Sequence, residues 1–170
     1  TLMNERLAIG GSIATGFPEI QALVSELVLA SGPASDDQAV RSKLADWYAK
    51  SAGLKNTGAR AISALSKGEI PGPENSIGKL VAGGMMQDIA KFAVDLQGLG
   101  GLVTDPAIAR SQAQIQAMLM RSPAVRIEGG TDQILRNIIA ERVLGLPEDM
   151  RADKGLAFSQ IPTSQDSGAR

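Results

Sequence analysis

A glycine pair that runs straight into a helix is the feature of this chain best suited to chemistry. Gly129-Gly130-Thr131 precedes an apolar periodic stretch at Ile134, Leu135, Ile138, Ile139 and Val143. Glycines adopt positive φ and let a backbone come close to a bound molecule, while a helix start presents free N–H groups that suit phosphates. The chain has no histidine and no cysteine. Disulfides, thiol nucleophiles, imidazole bases and the common zinc sites are thereby removed. Proton chemistry must fall to carboxylates, lysine, tyrosine or a bound cofactor. Taken alone, the glycine turn reads first as a plain helix cap, so its meaning depends on its neighbours.

The elements that must position this turn read as helices almost throughout. The 170 residues carry a net charge of −1 with a pI near 5.5, which leaves no electrostatic footprint for nucleic acid. One domain is expected, long enough for a real core. No run approaches the ~18–20 apolar residues of a membrane span. Asn4, Glu5 and Arg6 interrupt any signal-peptide stretch, and a cytoplasmic location is expected. The start at Thr1 suggests a fragment.

A first helix is read from Leu7 to Val28, kinked or split at Pro18. Residues 31–35 form a break, and Ser35 or Asp36 is expected to cap a second helix through Val40, Leu44, Trp47, Tyr48, Leu54, Ile62 and Leu65. A loop at 67–73 leads into a third helix, from about 74 to 97, with Ile77, Leu80, Val81, Met85, Ile89, Phe92, Ala93 and Leu96 inward. Gly98, Gly100 and Gly101 end it. Asp105-Pro106 is expected to open a fourth helix reaching Arg121, and a fifth runs from Thr131 to Leu144, stopped by Gly145 before Pro147. Trp47, Tyr48, Met85 and Met86 read as core. No strand pattern is present. The expected architecture is all-α, an antiparallel helical bundle of four-helix type over residues 1–158, with a polar, disordered tail over 159–170.

Four motifs in order carry a resemblance. Residues 126–145 (RIEGGTDQILRNIIAERVLG) resemble the closing signature of flavin-dependent acyl-CoA dehydrogenases. Gln97-Gly98-Leu99-Gly100-Gly101, otherwise a glycine-rich helix terminator, resembles that family's Gln-x-x-Gly-Gly turn. Gln38-Ala39-Val40-Arg41-Ser42-Lys43-Leu44-Ala45-Asp46, otherwise an amphipathic helix start, is similar to its Gln-x-x-x-x-Lys-Leu-Ala-Asp stretch. Residues 71–80 (PGPENSIGKL) look like the start of its third bundle helix. The match covers the C-terminal helical domain alone.

The resemblance implies oxidation of an acyl-CoA to the trans-2-enoyl-CoA. A carboxylate takes the α-proton and the β-hydrogen leaves as hydride to FAD. Gln38, Gln97, Gly100, Gly101, Thr131 and Gln133 are implied to contact the cofactor, whereas Asp132 reads as serving the helix N-terminus. Many members carry their base immediately before the Gly-Thr, where this chain has Gly129. Glu128 is one residue away, and along an extended segment that shift reverses the side chain, so it reads as a capping or solvent-facing carboxylate.

The isovaleryl and long-chain members instead take their glutamate from the first helix of the domain, within Glu-Arg-Leu. This chain has Glu5-Arg6-Leu7 there. Glu5 is the expected base, Arg6 the expected contact to the CoA portion, and Gly129 part of the substrate wall. The expected partners are an acyl-CoA substrate, electron-transfer flavoprotein, and further subunits in a homo- or hetero-oligomeric dimer or tetramer. The family also places Arg-x-x-Phe-Gly ahead of its glutamine, but residues 25–37 hold neither arginine nor phenylalanine. Losing one charge-assisted contact costs about 1.5–3 kcal/mol. A structural partner subunit with weakened flavin binding is the alternative that this departure raises. The domain by itself is expected to be inactive, because the family's flavin-holding β-domain is absent.

Overall fold

The computed structural model describes residues 15–69, 72–73, 75–148, 153 and 155–161. Glu5 and Arg6, the stretch from Leu7 to Ile13, and most of the expected tail lie outside them. Five α-helices form an antiparallel bundle: α1 Phe17–Glu26, α2 Gln38–Ser66, α3 Asn75–Leu96, α4 Gln114–Val125 and α5 Asp132–Arg142. The central member is α3, which packs against all four others. Its buried face includes Met85, Met86, Ile89, Ala90 and Ala93.

Pro18 starts a helix rather than kinking one. Gly16 stands at φ 82° and Pro18 falls in the first turn of α1, where its missing N–H has no intrahelical partner to lose. Phe17, Ile20, Leu23 and Val24 then line one face and are buried. The expected break after α1 is more ordered than the sequence suggests, because Val28–Leu29 and Gly32–Pro33 pair as a two-residue antiparallel hairpin. Ala30 and Ser31 make the turn, Gly32 begins the returning strand at φ 127°, and the Ala34 N–H closes onto the Leu27 carbonyl at 2.9 Å.

The cap of α2 is Asp37, not Ser35 or Asp36. Residues Ala34–Asp36 form a single 3-10 turn, which pushes the helix start one residue on. The Asp37 carboxylate accepts from the Ala39 and Val40 N–H groups at 2.9 and 3.1 Å. Val40 and Trp47 are buried on α2. Tyr48, expected in the core, is 64% exposed, one residue of rotation away from the buried Trp47, and Ile62 and Leu65 also face outward.

The fourth helix begins later than expected. Asp105 makes a turn of its own, its side chain accepting from Ala107 N–H and its carbonyl from Ala109 N–H, both at 2.9 Å. Ser111, Gln112 and Ala113 then take positive φ of 49°, 51° and 59°, and α4 starts only at Gln114. It also contains Pro123, which cannot donate to the Leu119 carbonyl. The Ser122 hydroxyl donates there instead, at 2.8 Å. Finally, α5 ends before Gly145 at φ 67°, with the Leu144 and Leu146 N–H groups closing onto Ile139 and Ala140.

Candidate functional site

The connection from α4 to α5, residues 126–131, is where the structure concentrates its polar organisation. Gly129 and Gly130 take φ of 63° and 108°, conformations costly for any residue with a Cβ. Gly129 is buried. The Thr131 hydroxyl accepts from the Ile134 N–H at 3.3 Å and so caps α5. Asp132, at the first helical position, is buried and held by Arg126, whose Nε and Nη2 reach its Oδ2 at 2.7 and 2.6 Å. The glutamate nearest the turn is already engaged, since Glu128 takes the Arg121 Nη2 on both carboxylate oxygens at 2.7 and 2.6 Å. No carboxylate therefore stands at position 129, and the neighbouring one points into an ion pair.

Two clefts meet at this connection. One, of about 230 Å³, is lined by Gln87, Pro123, Arg126, Ile127, Thr131, Asp132 and Gln133. The other, of about 370 Å³, includes Lys50, Asp88, Arg126, Asp132 and Arg136. The Arg126–Asp132 pair belongs to both walls. Thr131 and Gln133 are thus brought together beside one open surface.

The remaining expected contacts sit elsewhere. Gln97 and the Gly98–Leu102 turn lie at the C-terminal end of α3, and Gln38 is exposed at the start of α2. At the turn, Gln97 Nε2 donates to the Ala93 carbonyl at 3.0 Å while its Oε1 is buried without a hydrogen-bond partner. Gly100 has open space where a Cβ would stand, but a Cβ at Gly101 would overlap the Val94 carbonyl. Gly101 is fixed by packing, whereas Gly100 is open only on its Cβ side, its carbonyl accepting from the Val103 N–H at 3.3 Å and from Gln116 Nε2 at 3.5 Å.

Residues 1–144 match the family model described as acyl-CoA dehydrogenase, C-terminal domain. The chain belongs to the acyl-CoA dehydrogenase family. Acyl-CoA dehydrogenase IpdE1 of Mycolicibacterium smegmatis is 33% identical over 118 residues, which is 69% of this chain and 28% of that protein. Acyl-CoA dehydrogenase FadE34 of Mycobacterium tuberculosis is 32% identical over 151 residues, 86% of this chain and 19% of that protein. The chain thus spans less than a third of the relatives it matches. In fold it superposes on a chain of the ChsE4-ChsE5 complex from Mycobacterium tuberculosis with a TM-score of 0.66 at 22% identity, covering 78% of this chain and 35% of that one.

Sequence reasoning passed over three residues that organise the acyl-CoA dehydrogenase turn. Lys79 is fully buried, and its Nζ donates to the Gly130 carbonyl at 2.6 Å. Gln87 accepts from Arg126 Nη1 at 2.6 Å. Arg126 itself was read only as a letter of the signature. A lysine on the face that also carries Ser76 and Gly83 is the signal that was available, since lysine is almost never fully buried without partners.

Proposed function

We propose that this chain is the C-terminal helical bundle of a flavin-dependent acyl-CoA dehydrogenase that oxidises an acyl-CoA to the trans-2-enoyl-CoA. The observation that carries this reading is the Gly129-Gly130-Thr131 turn. It is buried at Gly129, held at positive φ and stripped of any free carboxylate. Such a wall leaves room for a flat thioester and demands a base from another element. Glu5 is that base in this reading, taking the α-proton, and Arg6 binds the CoA portion. Gly129 forms part of the substrate wall.

The residues fit a flavin dinucleotide. Gln97 holds a buried amide oxygen with no partner, Gly100 has open space on its Cβ side, and Gln133 and Thr131 share a cleft. Together with Gln38 and Gly101, they would hold FAD, which supplies the hydride acceptor when bound. The chain's own contribution would be polar contact from Thr131 and Gln133 at the start of α5. Electron-transfer flavoprotein is the proposed electron partner, within a homo- or heteromeric dimer or tetramer.

A second reading, a structural partner subunit of a heteromeric dehydrogenase, is favoured by the hairpin ahead of α2. Its segment carries no arginine, and the nearest cation, Arg41, donates to the Ser35 carbonyl at 3.4 Å. The ChsE4-ChsE5 complex is an assembly of two named proteins in which one chain shares this fold. Visible flavin absorbance in the purified full-length protein, bleached by acyl-CoA in wild type and not in Glu5→Gln, supports the catalytic reading. Absent flavin supports the structural subunit, and full bleaching in Glu5→Gln removes Glu5 from the mechanism.

A further inference from the structure

Three positions on α3, spaced one helical turn apart, meet the two ends of the α4–α5 connection, Lys79 at Gly130 and both Gly83 and Gln87 at Arg126. Lys79 Nζ donates to the Gly130 carbonyl at 2.6 Å. One turn on, Gly83 has no side chain, and a Cβ there would already stand 3.5 Å from Val125 Cγ1 and 3.6 Å from Arg126 Cγ. One turn further, Gln87 accepts from Arg126 Nη1 at 2.6 Å. Residues at i, i+4 and i+8 share one helix face, so a single rigid stripe sets the height and register of the whole connection. Arg126 passes the constraint on to Asp132 and hence to the first turn of α5.

The chemistry of the stripe is uneven. Gln87 and Arg126 reach solvent, whereas Lys79 is fully buried. Keeping an ammonium out of water is costly and survives only where hydrogen bonds compensate it. An apolar side chain of the same length would fill this space at no such cost. Among its contacts the lysine makes a strong, directional hydrogen bond to the carbonyl of the second glycine of the turn. Gly130 at φ 108° and Gly129 at φ 63° have no side chains to lock them, and glycine loses more conformational freedom on ordering than any other residue. The hold therefore falls on backbone that has no side chain of its own to fix it.

We infer that Lys79 is a positioning residue for the reaction. By fixing the Gly130 carbonyl it sets the Gly129–Gly130 backbone against which the acyl thioester lies. This inference rests on the proposed dehydrogenase function for its substrate, but its structural half does not. Misplacement of a substrate wall by about 1 Å lowers turnover by up to about a hundredfold. The effect of losing Lys79 should therefore fall on the turn and on turnover rather than on the bundle as a whole.

The test compares Lys79→Met, which keeps length without a donor, with Lys79→Gln, which keeps an N–H donor, in the full-length protein. Hydrogen exchange of the Gly129, Gly130 and Thr131 amides should rise at least tenfold in Lys79→Met, with α3 core amides at Ile89 and Ala90 unchanged. In the flavin-loaded enzyme kcat should fall about tenfold or more at retained flavin content, and Lys79→Gln should recover part of both effects. Unchanged exchange at the turn overturns the inference, and so does raised exchange with kcat unchanged. Should neither variant fold, the wild-type ammonium decides: a slowly exchanging lysine NH3 resonance that shifts on binding an enoyl-CoA product supports the inference, and one that does not shift overturns it. A wild type whose flavin is not reduced by any acyl-CoA sinks the parent reading and the substrate half with it. The exchange comparison then still decides whether Lys79 holds the turn.

Discussion

Arg126 grips Asp132 through one carboxylate oxygen, with Nε at 2.7 Å and Nη2 at 2.6 Å from Oδ2, and leaves Oδ1 buried without a hydrogen-bond partner. The two residues stand at either end of the glycine turn, so their pair closes it like a clasp. The burial is unequal, since the Asp132 side chain is 6% exposed and that of Arg126 is 40%.

That inequality sets the order of two substitutions. Arg126→Met strands a buried carboxylate that already lacks one partner, and should cost about 2–3 kcal/mol, toward the low end for a broken buried pair because Arg126 is partly hydrated. Asp132→Asn leaves an arginine that water can solvate and should cost under about 1.5 kcal/mol. Urea unfolding of both variants checks the order. Equal losses, or a larger loss for Asp132→Asn, would show that the pair is not limited by carboxylate burial.

Gly100 and Gly101 should part company in the same assay. A Cβ at Gly101 overlaps the Val94 carbonyl, so Gly101→Ala must displace backbone and should lose about 3 kcal/mol. Gly100→Ala meets nothing within 4 Å and should stay within about 0.5 kcal/mol of wild type. Any loss of flavin from Gly100→Ala at unchanged stability then reports contact with the cofactor, a separation that Gly101→Ala cannot provide.

Trp47 offers a third contrast. Its indole Nε1 donates to Asp88 Oδ2 at 2.9 Å, its ring meets Phe92 edge-on at 5.3 Å, and it is fully buried. Trp47→Phe removes the bond and leaves a void, at about 2–3 kcal/mol. Asp88→Asn keeps an acceptor on a half-exposed side chain and should cost under about 0.5 kcal/mol. Thermal unfolding distinguishes them, and a large loss for Asp88→Asn would mean that its charge matters, through Lys43 at 3.9 Å.

The sequence made the helices legible wherever apolar spacing and breakers agreed. Pro18, Gly98 and Gly145 all mark real helix ends, and Ala93 and Ile89 are core as their spacing requires. It misled where short-range geometry outranked spacing. A single 3-10 turn moved the α2 cap to Asp37, and three left-handed residues at 111–113 delayed α4 by several positions. Tyr48 follows Trp47 on an apolar-looking helix, but one residue of rotation carries it off the packed face. At the site, the glycine turn and its threonine cap were readable as local chemistry. Gln87 and Arg126 were not, because long-range pairing leaves no local pattern, and Lys79 left only its place on the face with Ser76 and Gly83 as a signal. The assignments of Glu5 and Arg6 rest on family resemblance and lie outside the described residues.

Thr131 brings the capping role of the turn and its proposed cofactor contact onto one atom. Its hydroxyl caps α5 through the Ile134 N–H at 3.3 Å, a long bond, so Thr131→Ala should cost about 1 kcal/mol or less. Thr131→Ser retains the acceptor and should be nearly silent in stability. Thr131→Val retains the shape without the acceptor and should match alanine. If the hydroxyl serves only the helix, flavin content in the full-length protein will follow stability through all three variants. The proposed contact with the cofactor requires more: alanine and valine should lose flavin well beyond what their stability predicts, while serine keeps it. Flavin titration beside urea unfolding for the same three proteins separates the two outcomes. A serine variant that loses flavin at wild-type stability would instead assign the contact to the Thr131 methyl group.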